Sequence, residues 1–433
     1  MKHTVSELVL ANGAKGLLVH VPESTVVALE INFRAGEYLV DEPKWETAHL
    51  MEHVLLGANT EYPRARIFQA EFEKNGAYSN ASTGAYDIIY EAECADFEWE
   101  RVLELTLLAI TKPLFLQEEF DAEFGNVREE LTSRSNNHFR HLNLALRQTY
   151  GYAAKTDGER LEIMDNVKLA DIQAHYKRTH TTSNMRFVIA GNITPGRQKR
   201  MTEILEATAL PKGRGRFVLP KERPHRLKAP LYLHNDSVKN IYFYLDTFMD
   251  RRMDEAEMDA LALANTLLVE TLYSRILGTA REQGLVYGMS SGYGQALLNS
   301  NWWIGAQVSP KNAPKLFEII TRELNDVFEG KLEKEDILAA QQYSLGRFQR
   351  SAQTVGGVAA GYSGRYFFDD VIEDYFRVPQ RIKEVTKESL TEIMRALFAE
   401  NVWGLGVLGS CGEEFALDLH KKAALLWPEG IRR

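Results

Sequence analysis

The sequence predicts an α+β fold composed of two similar α/β halves. Strand-like and helical patterns alternate along all 433 residues, which disfavours an all-helical or an all-strand fold. The same order of patterns occurs twice, and a stretch rich in proline and basic residues separates the two copies. The chain is too long for one ordinary hydrophobic core, since domains typically contain about 50 to 200 residues.

In the first half, alternating apolar residues predict strands, and apolar residues at three- and four-residue intervals predict helices. Asn12 and Gly13 form the turn of an opening hairpin, and Asn75 and Gly76 end a helix. The predicted strands are residues 6–10, 15–21, 26–33, 77–94 and 185–190, and the predicted helices are residues 47–56, 65–74, 97–111, 116–136, 142–150 and 169–178.

Residues 211–230 contain four prolines interspersed with lysines and arginines, which is typical of a solvated linker. The pattern of strands and helices then begins again. The predicted strands of the second half are residues 241–245, 287–291 and 302–308, and its predicted helices are residues 255–277, 314–328 and 333–348.

The end of each half supports a duplication. A helical segment followed by Asn184 and an apolar run in the first half has its counterpart before and after Asn401, 217 residues further on. A period of this length indicates duplicated domains and excludes a solenoid, whose repeats are much shorter. We therefore predict a first half at 1–210, a linker at 211–230 and a second half at 231–433.

Composition limits the classes of function. The formal net charge of −9 argues against nucleic acid as a partner, because phosphate binding requires a basic surface. The sequence predicts no signal peptide and no membrane span, so we expect a cytoplasmic location and no membrane partner. Cys94 and Cys411 are far apart in sequence and predict neither a disulfide framework nor a Cys-x-x-Cys site.

The strongest chemical signal is the segment from Thr47 to Leu56. On a helix, His49 and His53 leave the same face one turn apart, with the carboxylate of Glu52 beside them. This arrangement predicts a metal site with an adjacent general base. Two imidazoles do not complete a catalytic zinc site, which takes three protein ligands and a water molecule.

The acidic helix at 116–136 offers the third ligand. Glu123 and Glu130 are seven residues apart and share a helix face, so either carboxylate could reach a metal held by the first helix. The pattern alone leaves both open. Either one would complete a set of two histidines and one carboxylate, which leaves one coordination position free.

The second half lacks this set. At the offset of 217 residues, Thr266 corresponds to His49, Val269 to Glu52, Glu270 to His53 and Arg347 to Glu130. We therefore expect the second half to have the same fold without a metal. We predict one Zn²⁺ per chain.

The residues from His49 to His53 match the inverted His-x-x-Glu-His signature of zinc peptidases. With their surroundings, they resemble the pitrilysin, insulysin and mitochondrial-processing-peptidase family, in a short-chain, bacterial-type form. The similar features extend over nearly the whole chain. They include the turn at Asn12 and Gly13, Ala35 and Gly36, the run from Asn80 to Thr83, the helix with Glu123 and Glu130, Ser274 and Arg275, and the run from Arg281 to Tyr287.

The resemblance implies roles for individual residues. Glu130 would be the third zinc ligand, and Glu123 would be its neighbour outside the ligand set. Arg281 would hold the substrate, and Tyr287 would donate a hydrogen bond to the oxyanion. Asn80 and Ala81 would lie on an edge strand that binds an extended peptide.

The resemblance also implies a fold and an activity. Each half would be a mostly antiparallel sheet packed with helices, and the chain would form half of a clamshell chamber. The protein would be a zinc-dependent endopeptidase that hydrolyses peptides or unfolded segments inside that chamber.

Relatives of this length pair two chains, so a homodimer is the simplest expectation. Because the interval from Arg281 to Tyr287 is one residue shorter than is common in relatives, a heterodimer in which a homologous chain supplies this pair is the alternative. A third possibility is a non-catalytic subunit of the same fold.

Overall fold

The structure is a computed structural model that describes residues 1–427, and it consists of two compact units. The first unit comprises Met1–Ser133, Asp157–Leu219 and Gln349–Tyr375. The second unit comprises Arg134–Thr156, Pro220–Phe348 and the described residues from Phe376 onward. Neither unit is therefore one continuous stretch of sequence.

The first unit is built on a sheet with the strands β1 (Thr4–Val9), β2 (Lys15–His20), β3 (Val26–Phe33), β4 (Tyr78–Thr83), β5 (Ile88–Ala95) and β6 (Met185–Gly191). Their order in the sheet is β1-β2-β6-β3-β5-β4. The pair β2–β6 is parallel and the other neighbouring pairs are antiparallel. β4 lies at one edge of this sheet.

The second unit is built on a sheet with the strands β7 (Leu231–His234), β8 (Ile241–Met249), β9 (Met289–Gln295), β10 (Ser300–Val308) and β11 (Val402–Gly409). Their order is β7-β11-β8-β10-β9, with a parallel pair β7–β11 and otherwise antiparallel neighbours. This order repeats the order of β2, β6, β3, β5 and β4. The prediction of two similar, mostly antiparallel halves is confirmed.

Helices cover both sheets. In chain order they are α1 (Thr47–Leu55), α2 (Ala65–Glu73), α3 (Trp99–Thr111), α4 (Gln117–Ser135), α5 (His138–Thr149), α6 (Asp157–Ile163), α7 (Leu169–Thr179), α8 (Pro195–Glu206), α9 (Glu255–Asn265), α10 (Arg275–Glu282), α11 (Ala313–Phe328), α12 (Lys334–Ser351), α13 (Val355–Asp369), α14 (Val378–Glu384), α15 (Lys387–Ala399) and α16 (Glu413–Ala424). Residues 211–230 between the two copies have irregular backbone.

Each unit includes one helix from the other half of the sequence. α13 packs against β3 and β6 in the first unit, and α5 packs against β8 and β11 in the second. The two helices begin 217 residues apart, at His138 and Val355, so they are equivalent members of the duplication. Because a sheet face left uncovered would expose the apolar run of β6 or β11, the exchanged helix completes the burial of each central strand.

Some elements differ from the sequence prediction. The predicted strand at 77–94 is two strands, β4 and β5, joined by a turn in which the Gly84 amide donates to the Asp87 carbonyl over 2.8 Å. The predicted helix at 255–277 ends as the π-helical turn Thr266–Glu270, and α10 begins only at Arg275. Apolar periodicity does not report a local change from four- to five-residue hydrogen bonding. β7, α6, α8, α13, α14 and α16 were not predicted.

Among residues 1–427, the segment Glu255–Glu282, which contains α9, the π-helical turn and α10, is long and apolar enough by length and composition to cross a membrane. Within its most apolar window, 67% is buried. Leu261, Leu268 and Ile276 from this run belong to the hydrophobic core of the second unit.

Candidate metal centre

α1 presents the predicted metal-binding motif from a fixed position. Its sequence has no glycine or proline to interrupt the helix, and it packs against α7 and β4. Its buried apolar side chains include Leu50, Met51, Val54 and Leu55. With that face anchored in the core, His49 and His53 project together from the helix, and their ring centroids are 5.0 Å apart.

α4 brings Glu130 to these two histidines. Its Oε2 atom lies 3.2 Å from Nε2 of His49 and 3.6 Å from Nε2 of His53. One donor atom from each of the three residues lies within 4.8 Å of the others. Two imidazole nitrogens and one carboxylate oxygen therefore point at the same small volume.

This donor set fits a zinc ion. With Zn–N and Zn–O bonds of about 2.0 to 2.2 Å, the ligand atoms of a tetrahedral site are about 3.3 Å apart, close to the separations around Glu130. Three protein donors leave one tetrahedral position for a water molecule or a substrate oxygen. His49, His53 and Glu130 could therefore hold zinc in the form used by hydrolytic sites.

The second nitrogen of each imidazole is also bound to a carboxylate. Nδ1 of His53 lies 2.9 Å from Oε2 of Glu123, which is also on α4. Nδ1 of His49 lies 3.0 Å from Oε2 of Glu46, the residue at the N-terminal cap of α1. Such contacts fix the ring orientation and make the other nitrogen a better ligand.

These carboxylates shift the pKa values of their partners. Burial alone would lower the pKa of His49, but its hydrogen bonds with Glu130 and Glu46 outweigh burial and raise the pKa to about 9. Burial would raise the pKa of Glu46, but hydrogen bonds from His49 and Arg160 lower it to about 2. The hydrogen bond with His53 lowers the pKa of Glu123. A metal that binds His49 must therefore displace a proton.

Glu52 lies on the same helix and is held by the edge strand. The hydroxyl of Thr83, the last residue of β4, donates to Oε2 of Glu52 over 2.6 Å. Asn80 and Ala81 lie on the same strand, opposite Glu91 and Tyr90 of β5. The free edge of β4 thus runs up to the carboxylate predicted to act as the base.

Arg281 and Tyr287 belong to the second unit. The guanidinium of Arg281 donates to the backbone carbonyl of Tyr287, and its carbon lies 4.9 Å from the centre of the tyrosine ring. The Tyr287 side chain is largely open to solvent, with the residue 88% exposed. The two residues therefore contact each other on the surface of the second unit.

The second unit contains an ion pair at the positions that correspond to the metal centre. Oε2 of Glu270 accepts from the hydroxyl of Thr266 and from the guanidinium of Arg347, each over 2.8 Å. Oε1 of Glu270 accepts from Asn265 over 2.9 Å. The corresponding positions therefore lie together in this unit also, but a guanidinium takes the place of the candidate metal ligand Glu130.

Three residues near the centre were not identified from the sequence pattern. Glu46 is three residues before His49, a spacing that places the two on one helix face and could have indicated the contact. Thr83 ends the run from Asn80 to Thr83 that resembles the family, but its hydrogen bond to Glu52 has no sequence signal. Arg160, which binds Glu46, is 114 residues away from it in sequence.

The structure therefore defines a protein of duplicated α/β units, one of which carries a potential metal centre. The family profile described as insulinase, peptidase family M16, matches residues 17–160, and the profile described as the peptidase M16 inactive domain matches residues 166–343. Together the two matches cover about three quarters of the chain. The chain belongs to the M16 family of peptidases, to which pitrilysin and insulysin also belong.

Solved structures share the fold over almost the full length. A protease from Helicobacter pylori has a TM-score of 0.80 at 18% identity, with 94% of this chain and 100% of that chain covered. A peptidase M16 inactive domain from Pseudomonas fluorescens has a TM-score of 0.82 at 19% identity, covering 94% and 99%. An M16-like peptidase from Alicyclobacillus acidocaldarius has a TM-score of 0.78 at 17% identity, covering 94% and 98%.

Sequence similarity to a curated relative is more limited. The insulin-degrading enzyme-like 2 protein of Arabidopsis thaliana is 24% identical over 136 residues. This segment is 31% of the present chain and only 14% of the Arabidopsis protein.

Proposed function

We propose that the protein is a zinc-dependent endopeptidase that hydrolyses peptides or unfolded segments. The observation that carries this proposal is the convergence of His49, His53 and Glu130 on one point, with the carboxylate of Glu52 on the same helix. Membership of a peptidase family supports it.

The residues of the site have separate tasks. When bound, zinc would supply a Lewis acid that polarises the scissile carbonyl and lowers the pKa of water. Glu52 would take a proton from the attacking water and deliver it to the leaving amine. Thr83 donates to Oε2 of Glu52, so in this proposal Oε1 receives the proton.

The edge strand β4 would bind the substrate. An extended peptide can add to the free edge of a sheet through main-chain hydrogen bonds, beside Asn80 and Ala81. Because β4 leads to Thr83, a peptide aligned along it would pass close to Glu52. Binding of this kind reads the backbone more than the side chains, so we expect a broad sequence preference.

Arg281 and Tyr287 of a facing chain would act on the substrate. The exposed phenol of Tyr287 is accessible to an oxyanion, and Arg281 holds the backbone at Tyr287 in place. In this proposal Tyr287 stabilises the tetrahedral intermediate by a hydrogen bond, and Arg281 binds the substrate C-terminal to the cleaved bond.

We propose a homodimer in which each chain contributes one zinc site and one Arg281–Tyr287 pair. Size-exclusion chromatography of the purified chain, alone and mixed with the products of neighbouring genes, tests this assembly. A dimer that forms only in the mixture would favour the heterodimer.

A non-catalytic subunit is the second candidate. The match of residues 166–343 to a profile described as an inactive domain favours it. However, that match begins after Glu130, so the candidate metal ligands all lie in the segment that matches the insulinase profile.

Hydrolysis of a quenched fluorescent peptide separates the two candidates. The wild-type chain should cleave the peptide, lose activity with a metal chelator and regain it with zinc. Glu52→Gln should retain zinc and lose activity by at least about 100-fold. Activity that is indifferent to both the chelator and this substitution would overturn the peptidase proposal.

A further inference from the structure

Glu46 is a fully buried carboxylate beside the metal centre. It is 0% exposed, although an ionised side chain in the interior is costly unless it is paired. Its Oε2 atom lies 3.0 Å from Nδ1 of His49. The position of this carboxylate therefore determines which imidazole nitrogen carries a proton.

Arg160 on α6 fixes Glu46 from the opposite side. Its Nη2 donates to Oε2 of Glu46 over 3.0 Å, and its Nε donates to Oε1. Its Nη1 lies 3.1 Å from Oε1 of Glu37, and Arg160 itself is only 5% exposed. A two-point contact between a planar guanidinium and a carboxylate restricts the orientation of both groups.

The contact with Glu46 orients Nε2 of His49 toward the candidate metal position. When Glu46 accepts a hydrogen bond from Nδ1–H, the lone pair of a neutral imidazole lies on Nε2, which faces Glu130. The partner of His53 is less restricted, because the side chain of Glu123 is 26% exposed and also contacts Asn126. His49 is thus the more firmly held of the two histidines.

We propose that Glu46 is a positioning residue for His49, and that Arg160 acts through Glu46, so that α6 sets the zinc affinity of α1. This inference rests on the zinc binding included in the proposed function, but not on peptidase activity. Loss of a carboxylate behind a metal-bound histidine typically lowers metal affinity by about 10- to 100-fold.

The test measures zinc affinity of the full chain by competition with a chromophoric chelator. In the double variant Glu46→Leu/Arg160→Met, the buried pair is replaced by apolar groups, which is often neutral for stability. We expect its zinc affinity to fall about 10- to 100-fold. Glu46→Gln keeps an acceptor of the same shape, so its affinity should lie between those of the wild type and the double variant.

Glu37→Gln is the matched control, because Glu37 contacts Arg160 without contacting His49 in the described structure. It should leave zinc affinity within about twofold of the wild type, even if it lowers stability. At saturating zinc, the double variant should recover most of its peptidase activity, since its defect lies in holding His49. A merely structural role for the pair would not produce this recovery.

Unchanged zinc affinity in a folded double variant would overturn the positioning role. If circular dichroism shows that the double variant does not fold, Glu46→Gln decides instead, and wild-type affinity in that variant would overturn the inference. A wild-type chain that binds zinc without cleaving peptides would contradict only the proposed function. A wild-type chain that binds no zinc would contradict both.

Discussion

The two units place different chemistry at equivalent positions. In the first unit, α1 and α4 bring two imidazoles and the carboxylate of Glu130 to one point. In the second unit, the corresponding positions hold Thr266, Glu270 and Arg347, joined by hydrogen bonds and an ion pair. The positive charge beside Glu270 is the guanidinium of Arg347, a side chain of the same chain, and not a metal ion.

This difference shows that the shared fold does not determine which side chains occupy these positions. Both units share the order of five strands. Both also have a helical segment at the positions of His49 and His53 and another helix at the position of Glu130. At these positions the side chains differ, and the local winding of the helix also differs, since Thr266–Glu270 is a π-helical turn. The same scaffold can carry either set of side chains, so the chemistry depends on the residues at the site.

Matched substitutions of Glu130 and of its counterpart Arg347 should give the largest difference in zinc affinity. Glu130→Gln should lower zinc affinity by more than about 100-fold, because loss of a ligand exceeds loss of a residue behind a ligand. Arg347→Gln, at the same position of the second unit, should leave zinc affinity unchanged. Metal content after dialysis at a fixed chelator concentration measures both. Retention of zinc by Glu130→Gln together with its loss in Glu123→Gln would assign the third ligand to Glu123.

The metal-free protein should become less stable as pH rises from about 6.5 to about 9. The pKa of His49 in the folded chain is about 9, above its ordinary value of 6.5, so its stabilising contribution is complete below pH 6.5 and disappears as pH passes 9. The contribution is on the order of 3 kcal/mol, from 1.36 kcal/mol per pKa unit. Urea unfolding across this range tests it, and His49→Gln should remove this part of the slope. Identical slopes for the two chains would contradict the assignment.

Removal of the hydrogen bond to Glu52 should have a smaller effect on catalysis. Thr83→Val should lower kcat about tenfold, because a hydrogen bond to a charged group typically contributes about 1.5 to 3 kcal/mol. Zinc affinity should not change. Thr83→Ser keeps the hydroxyl and serves as the control. Equal kcat values for the valine and serine variants would show that Thr83 does not position the base.

The ion pair of the second unit should contribute least. The Arg347 side chain is 47% exposed, so water screens its attraction to Glu270. Glu270→Gln should lower the free energy of unfolding by less than about 1 kcal/mol and leave both zinc affinity and kcat unchanged. A loss of several kcal/mol in thermal or chemical unfolding would show that the pair is a principal support of the second unit.

The duplicated fold could be predicted because its evidence is local and repeated. Apolar alternation marks β3, short apolar runs mark β2 and β8, and the recurrence of β6 as β11 shows the offset directly. The exchange of α5 and α13 between the halves could not be predicted. α5 has an ordinary amphipathic pattern, but such a pattern does not identify the sheet against which a helix packs. α13 contains four glycines and was not predicted as a helix.

The candidate site, like the fold, could be predicted only in part from the sequence. The spacing of His49 and His53 places them on one face of any α-helix that forms there. The pattern left Glu123 and Glu130 as alternatives for the third ligand. In the structure, Glu130 faces Nε2 of both histidines and Glu123 contacts Nδ1 of His53.

The sequence by itself determined the duplicated α/β architecture and the motif at His49, Glu52 and His53, because both follow from regularities along the backbone. Only the tertiary structure showed that Arg160 supports Glu46 and that Thr83 holds Glu52. These contacts join positions 114 and 31 residues apart. Such separations have no characteristic period, so only the packing of helices and strands brings these side chains together.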